Sequence, residues 1–211
     1  MAAPRMSLGG WLFASLYDRL TAGAEAAGLS AHRERLLHQA AGRVLEIGAG
    51  TGANLRFYPE QIRTLTLVEP EPAMARRLAR RITQESRAIE IVHAPAESLP
   101  FADAPFDTVV STLVLCTVSD QPQALREIRR VLAPGGRLLF MEHVRSEQPR
   151  VAAWQDRLNG LNRIIAHGCN CNRSTVDAMR DAGFTIVSLV HDQIPKAPFF
   201  ARPLVIGTAR S

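Results

Sequence analysis

The chain has 211 residues, of which 46% are hydrophobic and 21% charged, with a formal net charge of +5. That length makes one domain with a sizeable core, and the balance excludes both a disordered chain and one built of membrane spans. Lys196 is the only lysine among 25 basic residues, so the positive charge is arginine, as in a GC-rich, bacterial genome. The arginines are scattered along solvated helix faces rather than gathered into a stripe, which argues against nucleic acid as a partner. Three cysteines, an odd number, argue against a disulfide framework and for a reducing compartment, the cytoplasm.

Apolar positions Leu8, Trp11, Leu12, Leu16 and Leu20 recur at helical spacing. Leu29, Arg33 (through its stem), Leu36 and Leu37 repeat the pattern in a second, shorter helix. Residues 1–41 therefore read as N-terminal cap helices. The run from Leu8 to Leu16 is too short to cross a bilayer. With a single positive residue ahead of it, it also makes a poor secretion signal.

Beyond residue 41 the period changes. "RVLEI" is a short buried strand, and "TGANLRFY" is expected to be a helix opening directly from a glycine loop. "TLTLVE" is a second strand, followed by the helix "EPAMARRLARRITQES". "IEIVHA" is a third strand and "FDTVVSTLVL" a fourth. The amphipathic helix "QPQALREIRRVL" is stopped by Pro134-Gly135-Gly136, and "RLLFMEHV" is the fifth strand. Residues 42–144 thus form a core, and residues 145–211 an insertion and a terminal hairpin. That last segment holds a helix with Trp154, Leu158, Leu161 and Ile165 on one face. A second helix follows, with Asn172 to cap it and Gly183 to end it. The strands "TIVSLVHD" and "PLVIGTA" then pair at one sheet edge. Near-continuous apolar strands alternating with helices specify an α/β, three-layer Rossmann-like fold, its sheet parallel and covered on both faces.

Gly48, Gly50 and Gly52 follow the acid Glu46. The run satisfies G-x-G-x-x-G/A, a dinucleotide fingerprint, and equally E-x-G-x-G-x-G, a loop for S-adenosylmethionine. Ligands in such sheets lie outside the carboxyl ends of the strands. The residues expected to converge there are Glu46 with Ala49 and Asn54, Glu69 with Pro70, Ala96 with Glu97, and Thr112 with Leu113. Glu69, 17 residues past Gly52, suits the ribose hydroxyls of either ligand. Glu46 discriminates, since a carboxylate beside the glycine turn repels a pyrophosphate but suits an ammonium and a sulfonium. S-adenosylmethionine is the cofactor this favours. An NAD-binding oxidoreductase is the rival from another class, and a ligand-binding module without activity a third reading.

"EIGAGTG", "AESLPF", "FDTVVSTLVL" and "LREIRRVLAPGGRLLF" resemble the class I S-adenosylmethionine-dependent methyltransferases. That family has a seven-stranded, mostly parallel sheet whose last strand is antiparallel. From "GTGANLRFYP" through "STLVLCTVSD" and "MEHV" to "GCNCNRSTVDAMRDAGF" the chain is similar to small methyltransferase-like proteins whose mammalian members methylate alkyl thiols. The resemblance spans about Val44 to Phe184. It implies a hydrophobic N-terminal anchor, which the run from Leu8 to Leu16 does not supply. It also implies an aspartate for the adenine amino group where Pro95 stands, leaving adenine to backbone at Ala96 and the Glu97 region. N-terminal helices of related enzymes close over the cofactor. The helix around Trp11 and Tyr17 is read as such a lid, with an amphipathic helix in weak peripheral contact with a membrane as its rival.

On the acceptor side, Cys116 ends the fourth strand near the expected sulfonium. His143 follows the fifth strand as the candidate base, with a structural histidine as its rival reading. His167, Cys169 and Cys171 form H-x-C-x-C, tighter than ordinary zinc-ligand spacing and without a fourth ligand, so no metal is expected. The loop from His167 to Cys171 is expected to face His143 across the sulfonium, with Tyr17, Cys116, His167 and Cys169 toward the acceptor. Trp154, Leu158 and Phe199 are expected to line an apolar pocket. A small hydrophobic thiol fits such a pocket, since it needs only deprotonation. The alternatives are a lipid or small amine, or C- or O-methylation of a quinone-like ring.

Overall fold

The computed structural model describes residues 18, 19, 21–85 and 87–211, so the apolar positions from Leu8 to Leu16, Tyr17 and Leu20 lie outside the described residues. A π-turn at Glu25–Leu29 leads into helix α1 (Ser30–Leu37), which buries Arg33, Leu36 and Leu37. Strands β1 (Arg43–Ile47), β2 (Thr64–Val68), β3 (Ile89–Val92), β4 (Phe106–Thr112) and β5 (Leu132–His143) follow. Helix α2 (Pro72–Ile82) lies between β2 and β3, and α3 (Gln121–Val131) between β4 and β5. The chain ends with α4 (Pro149–Ile165), α5 (Thr175–Asp181), β6 (Thr185–Gln193) and β7 (Pro203–Arg210). No helix among the described residues is long and apolar enough to cross a membrane.

The seven strands form one sheet in the order β3-β2-β1-β4-β5-β7-β6. Neighbours from β3 through β5 are parallel, and β7 runs antiparallel to both β5 and β6. Strand order reverses between β1 and β4, so their carboxyl ends open the crevice in which such sheets bind ligands. Alternation along each strand divides the core in two. Leu45, Val109, Leu138 and Phe140 face one layer, against Leu125 and Ile128 of α3. Val44, Val110, Leu139 and Met141 face the other, against Leu36 and Leu37 of α1. Each such fully buried side chain stabilises the fold by about 1.5–3 kcal/mol.

Local chemistry sets the helix starts. Asp120 accepts from the Gln123 N–H at 2.9 Å ahead of α3, and Pro72 occupies the first turn of α2 behind Glu71. Gly183 follows the end of α5, its N–H bonded to the Arg180 carbonyl.

Three local expectations are corrected. "TGANLRFY" is a tight turn and one 3-10 turn (Leu55–Phe57), because Thr51, Asn54 and Tyr58 all turn inward to polar partners. Asn172 does not cap α5; it donates to Asp156 at 2.9 Å, and Ser174 stands at the cap position. Pro134-Gly135-Gly136 do not separate α3 from β5. The strand begins at Leu132 and carries them as a bulge: between two ladder pairs β4 advances from Phe106 to Thr108 while β5 advances from Leu132 to Arg137.

Candidate functional site

A cavity of about 770 Å³ opens over the carboxyl ends of the strands at the reversal. It brings together Gly48, Gly50, Glu69, Pro70, Ala96, Glu97 and Leu113, and on its other side Cys116, His143, His167 and Cys169. Glu46, Ala49, Gly52, Asn54 and Thr112 stand behind that wall. Tyr17 lies outside the described residues, and the segment after it reaches the cavity at Thr21.

The three glycines divide the work of the loop. A Cβ on Gly48 would strike Val114 at 2.5 Å, and one on Gly52 would strike Leu55 and Leu78 at 2.7 and 2.8 Å. Those two serve close packing. A Cβ on Gly50 would meet nothing nearer than the Gly48 carbonyl at 4.0 Å, and Gly50 lines the cavity. The space that its missing side chain leaves is space for a ligand. The Gly50 N–H donates to Glu69 Oε2 at 2.7 Å, and the Glu71 N–H to Oε1 at 2.9 Å. Burial raises the Glu69 carboxyl, against the pull of those two N–H groups. Each Glu69 oxygen keeps a lone pair beyond these bonds, enough to accept two ribose hydroxyls. The donor set, a bare loop with one acid at its rim, fits S-adenosylmethionine.

Glu46 takes a different place from the one its position suggested. It is 2% exposed, and its oxygens accept from Asn54 Nδ2 at 2.8 Å and the Tyr58 hydroxyl at 2.7 Å. Burial pushes its carboxyl up to about 7, against the pull of Tyr58, Asn54 and Arg33. Asn54 and Thr112 belong to the same network, bonded to one another at 3.0 Å. Arg33 closes it. Its guanidinium donates to Asn54 Oδ1 and Thr112 Oγ1, both at 2.9 Å, and pairs with Glu25 at 3.0 Å. The loop is thus held from behind by a buried ion network. Glu97 is likewise engaged, accepting from the Ser119 and Asp120 N–H groups at 2.7 and 3.2 Å. It lines the cavity next to Pro95 and Ala96.

On the opposite wall His143 Nδ1 is 3.2 Å from Cys169 Sγ. The Cys116 thiol is hydrogen-bonded to the same sulfur, which lowers the Cys169 thiol and raises that of Cys116. Of the two, Cys169 is the sulfur whose ionisation this arrangement favours. Nε2 of the same ring is buried without a partner among the described residues, and in the tautomer whose Nδ1–H donates to Cys169 it carries the ring's lone pair. No group of side chains among the described residues suits a metal ion.

The walls of this side differ from expectation. Leu161 and Ile165 of α4 line the cavity with Ala197, Pro198 and Phe200; Trp154, Leu158 and Phe199 do not. Trp154 and Phe199 meet edge-to-face at 6.1 Å on the outside, each about half exposed. The buried face of α4 is polar: Gln155 bonds Val144 and Ser146, Asn162 donates to the Cys169 carbonyl at 2.8 Å, and Asn159 accepts from the Cys171 N–H.

Sequence reasoning missed three residues. The first is the charged head of Arg33. The second is Glu142, fully buried, which accepts from Ser111 and the Val114 N–H and so shapes the turn after β4. The third is Arg173, whose guanidinium donates to the Leu115 and Val118 carbonyls at 2.7 and 2.8 Å. Glu142 carried the signal that exposed Glu46, an acid near the end of an apolar strand.

An open parallel sheet with an antiparallel β7, a glycine loop after β1 and an acid after β2 define a class I methyltransferase architecture. A methyltransferase-domain family model matches residues 45–140. Human thiol S-methyltransferase TMT1A is 39% identical over 171 residues, covering 79% of this chain and 69% of that protein. Human thiol S-methyltransferase TMT1B is 36% identical over 177 residues, covering 81% and 72%. The chain belongs to the S-adenosylmethionine-dependent methyltransferase family that includes these proteins. Among solved structures, the [4+2]-cyclase SpnF aligns with a TM-score of 0.73 at 19% identity, over 100% of this chain and 97% of that one. The N-methyltransferase NodS of Bradyrhizobium japonicum WM9, in complex with S-adenosyl-l-homocysteine, aligns at 0.66 and 21% identity, over 86% of each chain. At those identities the likeness is one of fold.

Proposed function

We propose that the chain methylates the sulfur of a small apolar thiol. One observation carries the reading: beside the apolar side chains Leu161, Ile165 and Phe200 the cavity is lined by His143, whose Nε2 is buried without a partner among the described residues. S-adenosylmethionine supplies a methyl group already activated on a sulfonium. What remains for the protein is to hold the nucleophile in line and remove one proton. Glu69 and the Gly48–Gly52 loop hold the cofactor on one side. Leu161, Ile165 and Phe200 exclude water on the other, and positioning of this kind supplies about 7–11 kcal/mol of barrier lowering.

A thiol of ordinary pKa, about 8.5, gives its proton to an imidazole lone pair far more readily than a hydroxyl does. Cys169 fixes the ring with Nδ1 as donor, which leaves Nε2 as the acceptor. The thiol S-methyltransferase activity named for the human relatives supports the same acceptor class. Three cysteines without a disulfide support a reducing compartment, the cytoplasm.

The test is S-adenosylhomocysteine release from matched aliphatic thiol, amine and alcohol acceptors at equal concentration. The thiol should be turned over and the other two should not. Faster turnover of the amine, or of a quinone-like ring, would replace this acceptor class with that one.

A further inference from the structure

Methyl transfer uses the acceptor pocket's histidine, with Cys169 orienting its ring, and leaves the pairing of Cys169 with Cys116 without a task. Cys116 and Cys169 come from distant parts of the chain, the turn after β4 and the loop after α4. Both line the cavity, and each thiol perturbs the other's ionisation, raising Cys116 and lowering Cys169. The backbone holds them together. The Asn170 N–H donates to the Cys116 carbonyl at 2.8 Å, Asn170 Nδ2 donates to that carbonyl at 3.2 Å, and Asn162 Nδ2 holds the Cys169 carbonyl at 2.8 Å. These bonds hold the loop that carries Cys169 against the turn that carries Cys116. His143 Nδ1, 3.2 Å from Cys169 Sγ, marks Cys169 as the attacking sulfur. The third cysteine is set apart: Cys171 Sγ is buried against the Gln155 carbonyl and Asn159, and does not line the cavity.

We propose that Cys169 and Cys116 form a thiol–disulfide exchange pair, and that the pocket accepts small apolar disulfides and opens them to thiols. The Cys169 thiolate attacks one sulfur of RS–SR. A bond forms between Cys169 Sγ and that sulfur, and the other leaves as RS⁻ with the electron pair of the broken bond. Cys116 then attacks Cys169 Sγ, forming the Cys116–Cys169 disulfide. The second RS group departs, taking the proton Cys116 gives up. In sum, two electrons pass from the cysteine pair to the ligand, which becomes RS⁻ and RSH, and two equivalents of a small thiol return the pair to its reduced form. The lowered Cys169 thiol supplies the attacking thiolate near neutral pH, and the raised Cys116 thiol keeps the second step from running first. A thiol freed in this way lies in the same pocket as His143.

The activity is independent of methyl transfer, so the experiment contains no methyl donor. The reduced, full-length protein, cleared of reductant, is mixed at pH 6 with bis(2-hydroxyethyl) disulfide, and released thiol and intact protein mass are followed. Wild type should release two thiols per chain and lose the mass of two hydrogens. Cys116→Ser should release one thiol and keep the adduct. Cys169→Ser should react about 10-fold more slowly or worse, whereas Cys171→Ser should match wild type. An unchanged melting shift with S-adenosylmethionine certifies that each variant is folded, with Cys169→Ala as the replacement if Cys169→Ser fails that check. The proposal is overturned if wild type reacts no faster than Cys169→Ser, or if Cys116→Ser still forms an internal disulfide.

Discussion

Arg33 in α1 and Thr112 at the end of β4 are joined by a 2.9 Å hydrogen bond between Nη1 and Oγ1, and the same nitrogen reaches Asn54 Oδ1. One buried cation thereby ties the cap helix to the glycine loop and to the strand across the crevice. Arg33→Met keeps the apolar stem but removes the head, leaving Glu25, Asn54 and Thr112 short of a donor. The expected cost is about 3 kcal/mol, since breaking a buried charged network strands its remaining members. A urea titration checks this, and a change under about 1 kcal/mol would remove the network from the account.

Gly50 and Gly52 should fail in different ways. Gly50→Ala places its methyl in open cavity, so stability should fall only by the left-handed strain of about 1–2 kcal/mol, while S-adenosylmethionine affinity drops more than tenfold. Gly52→Ala drives a methyl into Leu55 and Leu78 and should cost about 2–4 kcal/mol of stability. Melting curves with and without ligand separate the two. Normal affinity in folded Gly50→Ala would mean the loop serves packing alone.

Glu69→Ala should weaken cofactor binding by about 10- to 100-fold, the worth of one hydrogen bond to a charged group. The fold should survive, because water can reach the Gly50 and Glu71 N–H groups through the cavity. Calorimetric titration measures the effect, and an affinity within twofold of wild type would contradict it.

Glu142 sets a pH dependence. Burial pushes its carboxyl up to about 7, against Ser111 and the N–H groups of residues 114–116. The folded state therefore binds a proton that the unfolded state has lost above about 4.5. Glu142 thus favours the fold at low pH, and its contribution declines as pH rises to about 7, by up to roughly 1.4 kcal/mol per unit. Cys169, lowered on folding, works in the opposite direction. The informative quantity is accordingly the stability of Glu142→Gln relative to wild type. It should rise between about pH 5 and 7 and level off above, and a flat difference would show that Glu142 stays ionised throughout.

His143→Gln should lower thiol methylation about tenfold or more at pH 7 without changing cofactor affinity, the loss shrinking at higher pH as the acceptor ionises in solution. A loss independent of pH would indicate that the ring serves structure.

The edge strands β3 and β6, partly or largely exposed, were legible from their alternation with the other elements. The inner strands were legible from their apolar runs, because a strand buried on both faces leaves little room for polar residues except where they work. The exceptions, Glu46, Glu69 and Glu142, are the informative ones. The glycine loop was legible for the same reason, three residues without side chains in five. Side-chain reach was not. Periodicity placed Arg33 on an inward face and credited its stem, but whether a guanidinium finds partners depends on Asn54 and Thr112, far away in sequence. The stripe Trp154, Leu158, Leu161 and Ile165 does share a face of α4. The neighbouring polar face is the buried one because it meets bare backbone: Asn162 and Asn159 satisfy the Cys169 carbonyl and the Cys171 N–H, and Gln155 satisfies the Val144 carbonyl and the Ser146 N–H. Periodicity finds a face; it does not say what the face will meet.

Strand β7 lies between β5 and β6, although it follows both in the chain. On the ribosome β6 therefore emerges before the strand it must pair with, and β5 waits with one edge bare. Val187 and Val190 of β6, more than half exposed even when folding is complete, have no sheet to join until residues 203–210 arrive. Until residues 203–210 emerge the nascent chain thus carries two open strand edges, the state in which chains associate with one another. Slower elongation through the codons for residues 194–210, or a shortage of chaperone, should therefore lower the soluble yield before any change in the finished protein's stability is seen.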